Sequence, residues 1–114
     1  MNPKIGNNIK IALIGCGNWG KNISRNLSQM NSLYCVYDPY SDMAKQVTAD
    51  LKLPNYSLNE ILFDKNINAV VIASSADTHI DIAKKALINN KDVLIEKPFC
   101  LSLSDAKSIS NLAL

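Results

Sequence analysis

The stretch that most constrains this chain is Gly15-Cys16-Gly17-Asn18-Trp19-Gly20. An apolar run, Ile9 to Ile14, leads into it. An amphipathic stretch leads out, with Trp19, Ile23, Leu27 and Met30 on one helical face. Strand, glycine turn and helix are the context in which G-x-G-x-x-G has physical meaning. The first glycine permits the sharp turn, the second lets backbone approach a pyrophosphate, and the third lets helix and strand pack closely. The helix then offers free N–H groups and its positive dipole end to an anion. A second apolar run, Leu33 to Tyr37, ends at Asp38. An acid at that strand end, about 20 residues past the glycines, can accept hydrogen bonds from an adenosine ribose. Together these features predict a dinucleotide site.

The following segments extend the alternation. A helix is expected over Asp42 to Leu51, with Met43, Ala44, Val47 and Leu51 inward and Pro54 as its stop. Asn55-Tyr56 reads as a short third strand. Ser57 and Glu60 form a capping box for a short helix through Phe63. Ala69 to Ala73 is uninterrupted apolar sequence, as a parallel strand covered on both faces requires. The polar loop Ser74 to His79 follows at its carboxyl end. The next helix runs to about Asn89, with Ile80, Ala83 and Leu87 inward and Asn90 taking the left-handed conformation that ends it. Val93 to Ile95 is the fifth strand, and a last helix begins at Ser104. The pattern is α/β: a doubly wound parallel sheet, five strands in the order 3-2-1-4-5, with right-handed crossovers. In that order the Gly15 turn and the Ser74 loop face one crevice.

The 114 residues suffice for one domain, 1–114, and a net charge of +2 with scattered lysines gives no basic stripe for nucleic acid or a membrane surface. The polar amino terminus is not read as a signal peptide, and no apolar run reaches spanning length. These features predict a cytoplasmic protein. Three cysteines, Cys16, Cys35 and Cys100, lack metal-ligand spacing, and His79 is the sole histidine, so no metal site is expected. Cys35 reads as core packing. Cys16 sits near a helix N-terminus, which lowers a thiol pKa, although a small residue tolerated in a tight turn is the simpler reading.

Ile72-Ala73-Ser74-Ser75, His79, Ala83 to Leu87, and Lys91-Asp92-Val93-Leu94-Ile95-Glu96-Lys97-Pro98 resemble the amino-terminal domain of the Gfo/Idh/MocA oxidoreductases. The resemblance runs from Ile9 to Leu112. The glycine turn with Lys21 and Asn22 is similar to members acting at position 3 of nucleotide-linked aminosugars and their uronic acids. The resemblance implies NAD as cofactor and hydride transfer to or from a sugar, nucleotide sugar or polyol. It places Gly15, Gly17, Asn18, Trp19 and Gly20, with Cys16 between them, at the pyrophosphate and Asp38 at the ribose. Ser74, Ser75 and His79 would border the cofactor, Glu96 would approach the nicotinamide ribose, and Lys97 would be the catalytic residue reaching toward the nicotinamide and the substrate hydroxyl. A lysine there can stabilise developing alkoxide charge. His79 reads equally well as structural. Lys97–Pro98 is a candidate cis bond.

Family members continue into a second α/β domain that supplies most of the substrate pocket. Nothing in this chain matches it. The expectations are therefore the NAD-binding domain of such an oxidoreductase, binding NAD without sugar turnover on its own, or alternatively a non-catalytic NAD-binding module or truncated remnant. Association through the edge of the fifth strand is also expected, unless the 104–113 helix covers that edge.

Overall fold

The structure is a computed structural model. It describes residues 9–16, 18–96, 107 and 110–112, with the side chains of 18–21 left aside. Gly17, Lys97 and Pro98 lie outside the described residues, as does the start of the last expected helix; residues 107 and 110–112 are helical, and Leu112 is exposed.

Among the described residues, four parallel strands form one sheet. They are β1 (Ile11–Ile14), β2 (Leu33–Tyr37), β3 (Ala69–Ile72) and β4 (Asp92–Ile95), in the order β2-β1-β3-β4. Ala12 pairs with Cys35 on one side and Val70 on the other, and Val70 pairs with Val93. The helices are α1 (Asn18–Gln29), α2 (Asp42–Asp50), α3 (Leu58–Phe63) and α4 (His79–Ile88), with a 3-10 turn at Ala76–Thr78.

Alternation along the strands divides the core. Ala12, Ile14, Cys35, Val70 and Ile72 face Ile61, Leu62, Ile80, Ala83 and Ala86 of α3 and α4. Leu13, Val36 and Val71 face Leu27 of α1 and Ala44 of α2. Successive β3 side chains thus enter opposite clusters, which is why Ala69 to Ala73 carries no polar residue.

The five-strand expectation is corrected. Asn55-Tyr56 is not a strand, and the remaining strands keep their expected neighbours. Only Leu53 to Asn55 and Tyr56 separate the turn after α2 from the Ser57 cap, and Pro54 has no N–H to give a ladder. Tyr56 is instead held through its side chain. Its ring meets Tyr34 edge-on at 5.8 Å, and its hydroxyl donates to Asp64 Oδ2 at 2.8 Å. Tyr34 lies at an irregularity in the β1–β2 register, where Ile11 pairs Leu33 and Ala12 pairs Cys35.

Helix ends follow local chemistry. The Ser57–Glu60 capping box forms with both reciprocal bonds, Glu60 N to Ser57 Oγ at 3.2 Å and Ser57 N to Glu60 Oε1 at 3.0 Å. Asn90 takes φ 62°, as expected, with Lys91 N bonding Ala86 O at 3.0 Å. The stop of α2 is not Pro54. Lys52 takes φ 54°, and Leu53 N reaches back to Thr48 O at 2.9 Å, closing the same six-to-one turn two residues earlier. Met43, Leu51 and Met30, expected inward, are exposed by 36%, 42% and 58%. Only the Ala44–Val47 stripe of α2 meets the sheet, and Leu51 and Met30 lie past the helix ends.

Candidate functional site: the crevice at the strand ends

Gly15, Asp38, Ser74 and Glu96 follow the four strands at their carboxyl ends, so one edge of the sheet gathers them. The adjoining backbones are tied together there. Gly15 N donates to Tyr37 O at 2.7 Å, Ala73 N to Ile14 O at 2.7 Å, and Glu96 N to Ile72 O at 2.9 Å.

Gly15 has φ +93°, a region L residues rarely adopt. It also has no room. A Cβ built there would lie 2.3 Å from Ser74 N and 2.5 Å from the Ala73 carbonyl carbon. The first glycine therefore serves a purpose beyond the turn: it lets the β1 and β3 loops touch. That second role carries no local sequence signal.

Asp38 braces the glycine turn. Its Oδ2 accepts from Cys16 N at 2.9 Å, and its Oδ1 accepts from Tyr40 N at 3.0 Å. The Cys16 thiol points away from the crevice into the core, 1% exposed. Burial first, and then the Asp38 charge, push its pKa up. The suggestion of a thiol activated by the helix end is thus corrected, and the packing reading holds. Cys35 is fully buried, and its pKa is pushed up to about 12 by burial first and the Asp64 charge second, as an inert core thiol's is.

On the opposite wall, the Ser74 hydroxyl pairs with Thr78 Oγ1 at 2.7 Å, and Thr78 Oγ1 donates to Ser75 O at 2.7 Å. His79 is 1% exposed, and its Nε2 donates to Ser74 O at 2.7 Å, since a carbonyl only accepts. The imidazole is turned onto the loop backbone. Ser75 is exposed, whereas Ser74 and Glu96 are half-buried.

These walls enclose a crevice of about 680 Å³, lined in part by Gly15, Asp38, Ser74 and Ser75. Asp77, within the Ser74–His79 loop expected there, also lines it, as do Tyr40, Leu58, Asp81 and Ile82, which sequence reasoning did not find. Leu58 and Ile82 supply apolar surface of the kind a base ring needs, while the 12-residue α1 begins at the glycine turn with no acid in its first turn. Crevice, close glycine contact, carboxylate and helix start fit a dinucleotide. A neighbouring groove of about 740 Å³ shares Tyr37, Asp38 and Pro39 but is otherwise built by Val36, α2, α3 and the segment between those helices, including Lys45, Lys52 and Glu60. Neither the Gly15 turn nor the Ser74 loop lines it, so it lacks the phosphate-binding parts. Among the described residues no group of three His, Cys, Asp or Glu side chains could hold a metal ion, and no helix is long and apolar enough to cross a membrane.

The family profile described as "Oxidoreductase family, NAD-binding Rossmann fold", that of Gfo/Idh/MocA, matches residues 9–114. The scyllo-inositol 2-dehydrogenase (NAD(+)) of Bacillus subtilis is 36% identical over 107 residues, covering 90% of this chain and 31% of that protein. The solved UDP-N-acetylglucosamine 3-dehydrogenase of Acidithiobacillus ferrooxidans superposes with TM-score 0.83 at 27% identity, over 92% of this chain and 34% of that one. GenD2 from gentamicin A biosynthesis, solved in complex with NAD, gives TM-score 0.84 at 26% identity over 92% of this chain and 31% of that one. The chain thus spans about a third of these relatives' length. It belongs to the Gfo/Idh/MocA oxidoreductases and forms their NAD-binding Rossmann domain.

Proposed function

We propose that the crevice binds NAD(H) with the pyrophosphate on the turn from Gly15 to Gly20 and on the start of α1. The adenosine ribose then lies at Asp38, and Ser74, Ser75 and Glu96 border the nicotinamide half. The observation that carries this reading is the joining of Asp38 to the Cys16 amide at 2.9 Å, which sets the ribose acid directly against the phosphate turn. Preference for NAD over NADP is part of the proposal. Asp38, Asp77 and Asp81 all line the crevice and would repel a 2′-phosphate.

The domain is proposed to work as the cofactor part of an oxidoreductase acting on a polyol, sugar or nucleotide sugar. The inositol and UDP-N-acetylglucosamine dehydrogenases among its relatives support that substrate class. Bound NAD would supply the hydride acceptor. Lys97 is assigned to the substrate oxygen, where its charge would stabilise an alkoxide. Turnover is proposed for the domain together with the remaining two thirds of length its relatives have. His79 is assigned to the loop rather than to the dinucleotide, because its ring is buried against Ser74 O. Association through β4 is proposed as well, since β4 is outermost in the described sheet and Leu94 is 63% exposed. The cytoplasm is the proposed compartment, in keeping with buried free thiols at Cys16 and Cys35.

Backbone NMR during an NAD titration tests the site. The amides of residues 15–20, Asp38, Ser74 and Ser75 should shift first. Shifts confined to Lys45, Lys52 and Glu60 would move the site to the neighbouring groove and overturn the proposal.

A further inference from the structure

Cys16 stands between the first two glycines, and its side chain is committed to the core. Both of its backbone polar groups are held by one turn, Asp38-Pro39-Tyr40-Ser41. Asp38 Oδ2 accepts the Cys16 N–H at 2.9 Å, and Ser41 Oγ donates to the Cys16 carbonyl at 2.9 Å. The turn is closed by Ser41 N to Asp38 O at 3.3 Å, with Pro39 at the position where a fixed φ is preferred. The same Ser41 Oγ accepts from Ala44 N at 3.3 Å and caps α2. One hydroxyl thus uses its proton on the glycine turn and a lone pair on a helix.

The direction of the Cys16 carbonyl matters because a trans peptide is planar, with its C=O and following N–H pointing opposite ways. With its N–H on Asp38 and its oxygen on Ser41, Cys16 has both backbone groups fixed at the point where the phosphate turn leaves β1. In a G-x-G-x-x-G turn the backbone that follows is the stretch that approaches the pyrophosphate. Without Ser41 the Cys16 carbonyl loses that donor, and the cost of ordering this end of the turn falls on binding.

We propose that Ser41 is a positioning residue for the dinucleotide: it orients the phosphate-binding turn through the Cys16 carbonyl without touching the ligand. The inference rests on the crevice being the dinucleotide site. It separates two tasks within one turn. Asp38 both braces the turn and meets the ribose, whereas Ser41 acts on the pyrophosphate end alone.

The test uses the 114-residue chain with Ser41→Gly, Ser41→Ala and Ser41→Thr. Glycine is a tolerable N-cap and alanine a poor one, but both remove the donor; threonine keeps donor and cap. ADP-ribose affinity is measured by calorimetry, adenosine affinity by NMR titration, and folding by thermal melts. Expected is a loss of about three- to tenfold in ADP-ribose affinity in both Gly and Ala variants, the range one neutral hydrogen bond supports. Adenosine affinity should be unchanged, and Thr should restore ADP-ribose binding. Gly and Ala variants that melt as folded proteins and bind ADP-ribose like the parent would overturn the inference, as would equal losses for adenosine. Should the Ala variant not fold, the Gly and Thr variants decide. A parent chain that binds no ADP-ribose would defeat the dinucleotide reading itself, and the proposal with it.

Discussion

Replacing Gly15 with alanine should be among the most damaging single-methyl additions to this fold. Two costs add. The first is conformational: at φ +93° an L residue loses about 1–2 kcal/mol to the contact between Cβ and backbone. The second is steric. The new methyl would sit 2.3 Å from Ser74 N, 2.5 Å from the Ala73 carbonyl carbon and 2.6 Å from Ser74 Cα. All three are backbone atoms, so no side chain can rotate away. Either β1 or β3 must shift its loop by more than an ångström, at a cost of about 1–3 kcal/mol by analogy with overpacked cores. The sum is about 2–5 kcal/mol, a large part of the roughly 5–15 kcal/mol that holds a domain of this kind together. Urea unfolding monitored by circular dichroism measures the loss, and NAD calorimetry on the folded fraction should show binding weakened further, because the shift widens the crevice. A Gly15→Ala chain within about 0.5 kcal/mol of the parent would refute the reasoning, since the two loops would then not be in contact as described.

Lys91 is 4% exposed, and its Nζ donates to Asp64 O at 2.7 Å and Ile67 O at 2.9 Å. Lys91→Met keeps the volume but orphans both carbonyls, so about 2–4 kcal/mol should be lost in the same urea assay; an unchanged midpoint would show that water replaces the ammonium. Stability should also fall through the alkaline range. Cys35 is held protonated in the folded chain up to about 12, while its unfolded thiol ionises near 9.0. The unfolded state then binds fewer protons between those values, and up to about 4 kcal/mol drains away as pH rises across them. Lys91, whose pKa burial lowers, works in the opposite sense just below 10.5. Cys35→Ala should flatten the fall in melting temperature above pH 9, and an unaltered slope would contradict the assignment.

Features encoded by near neighbours were legible in the sequence. The Ser57–Glu60 box, the left-handed Asn90 and the strand–glycine–helix unit each depend on a few adjacent residues, and each is where the sequence placed it. The misread features depend on partners far along the chain. Tyr56 is fixed by Tyr34 and Asp64, so the segment around it needs no ladder. Met43 and Leu51 fit a helical stripe wider than the one the sheet covers. Lys91, to which the sequence reading gave no structural role, is buried because two carbonyls from the turn before β3 converge on it. At the candidate site, the positions of Gly15 and Asp38 just past two strands were readable because a strand end is a local signal. The Asp38–Cys16 brace, the Ser41 contact and the Leu58 and Ile82 lining bring together residues 22 or more apart, and no local pattern marks them.

The central claim is that this crevice holds NAD through a phosphate turn set against an acid that excludes a 2′-phosphate. Calorimetric titration of the 114-residue chain with NAD and, separately, NADP tests it most directly. The account predicts one-to-one NAD binding, with NADP at least about tenfold weaker, and a narrowing of that ratio in Asp38→Ala. NADP binding as tight as NAD, or no saturable NAD binding by a folded chain, would contradict it.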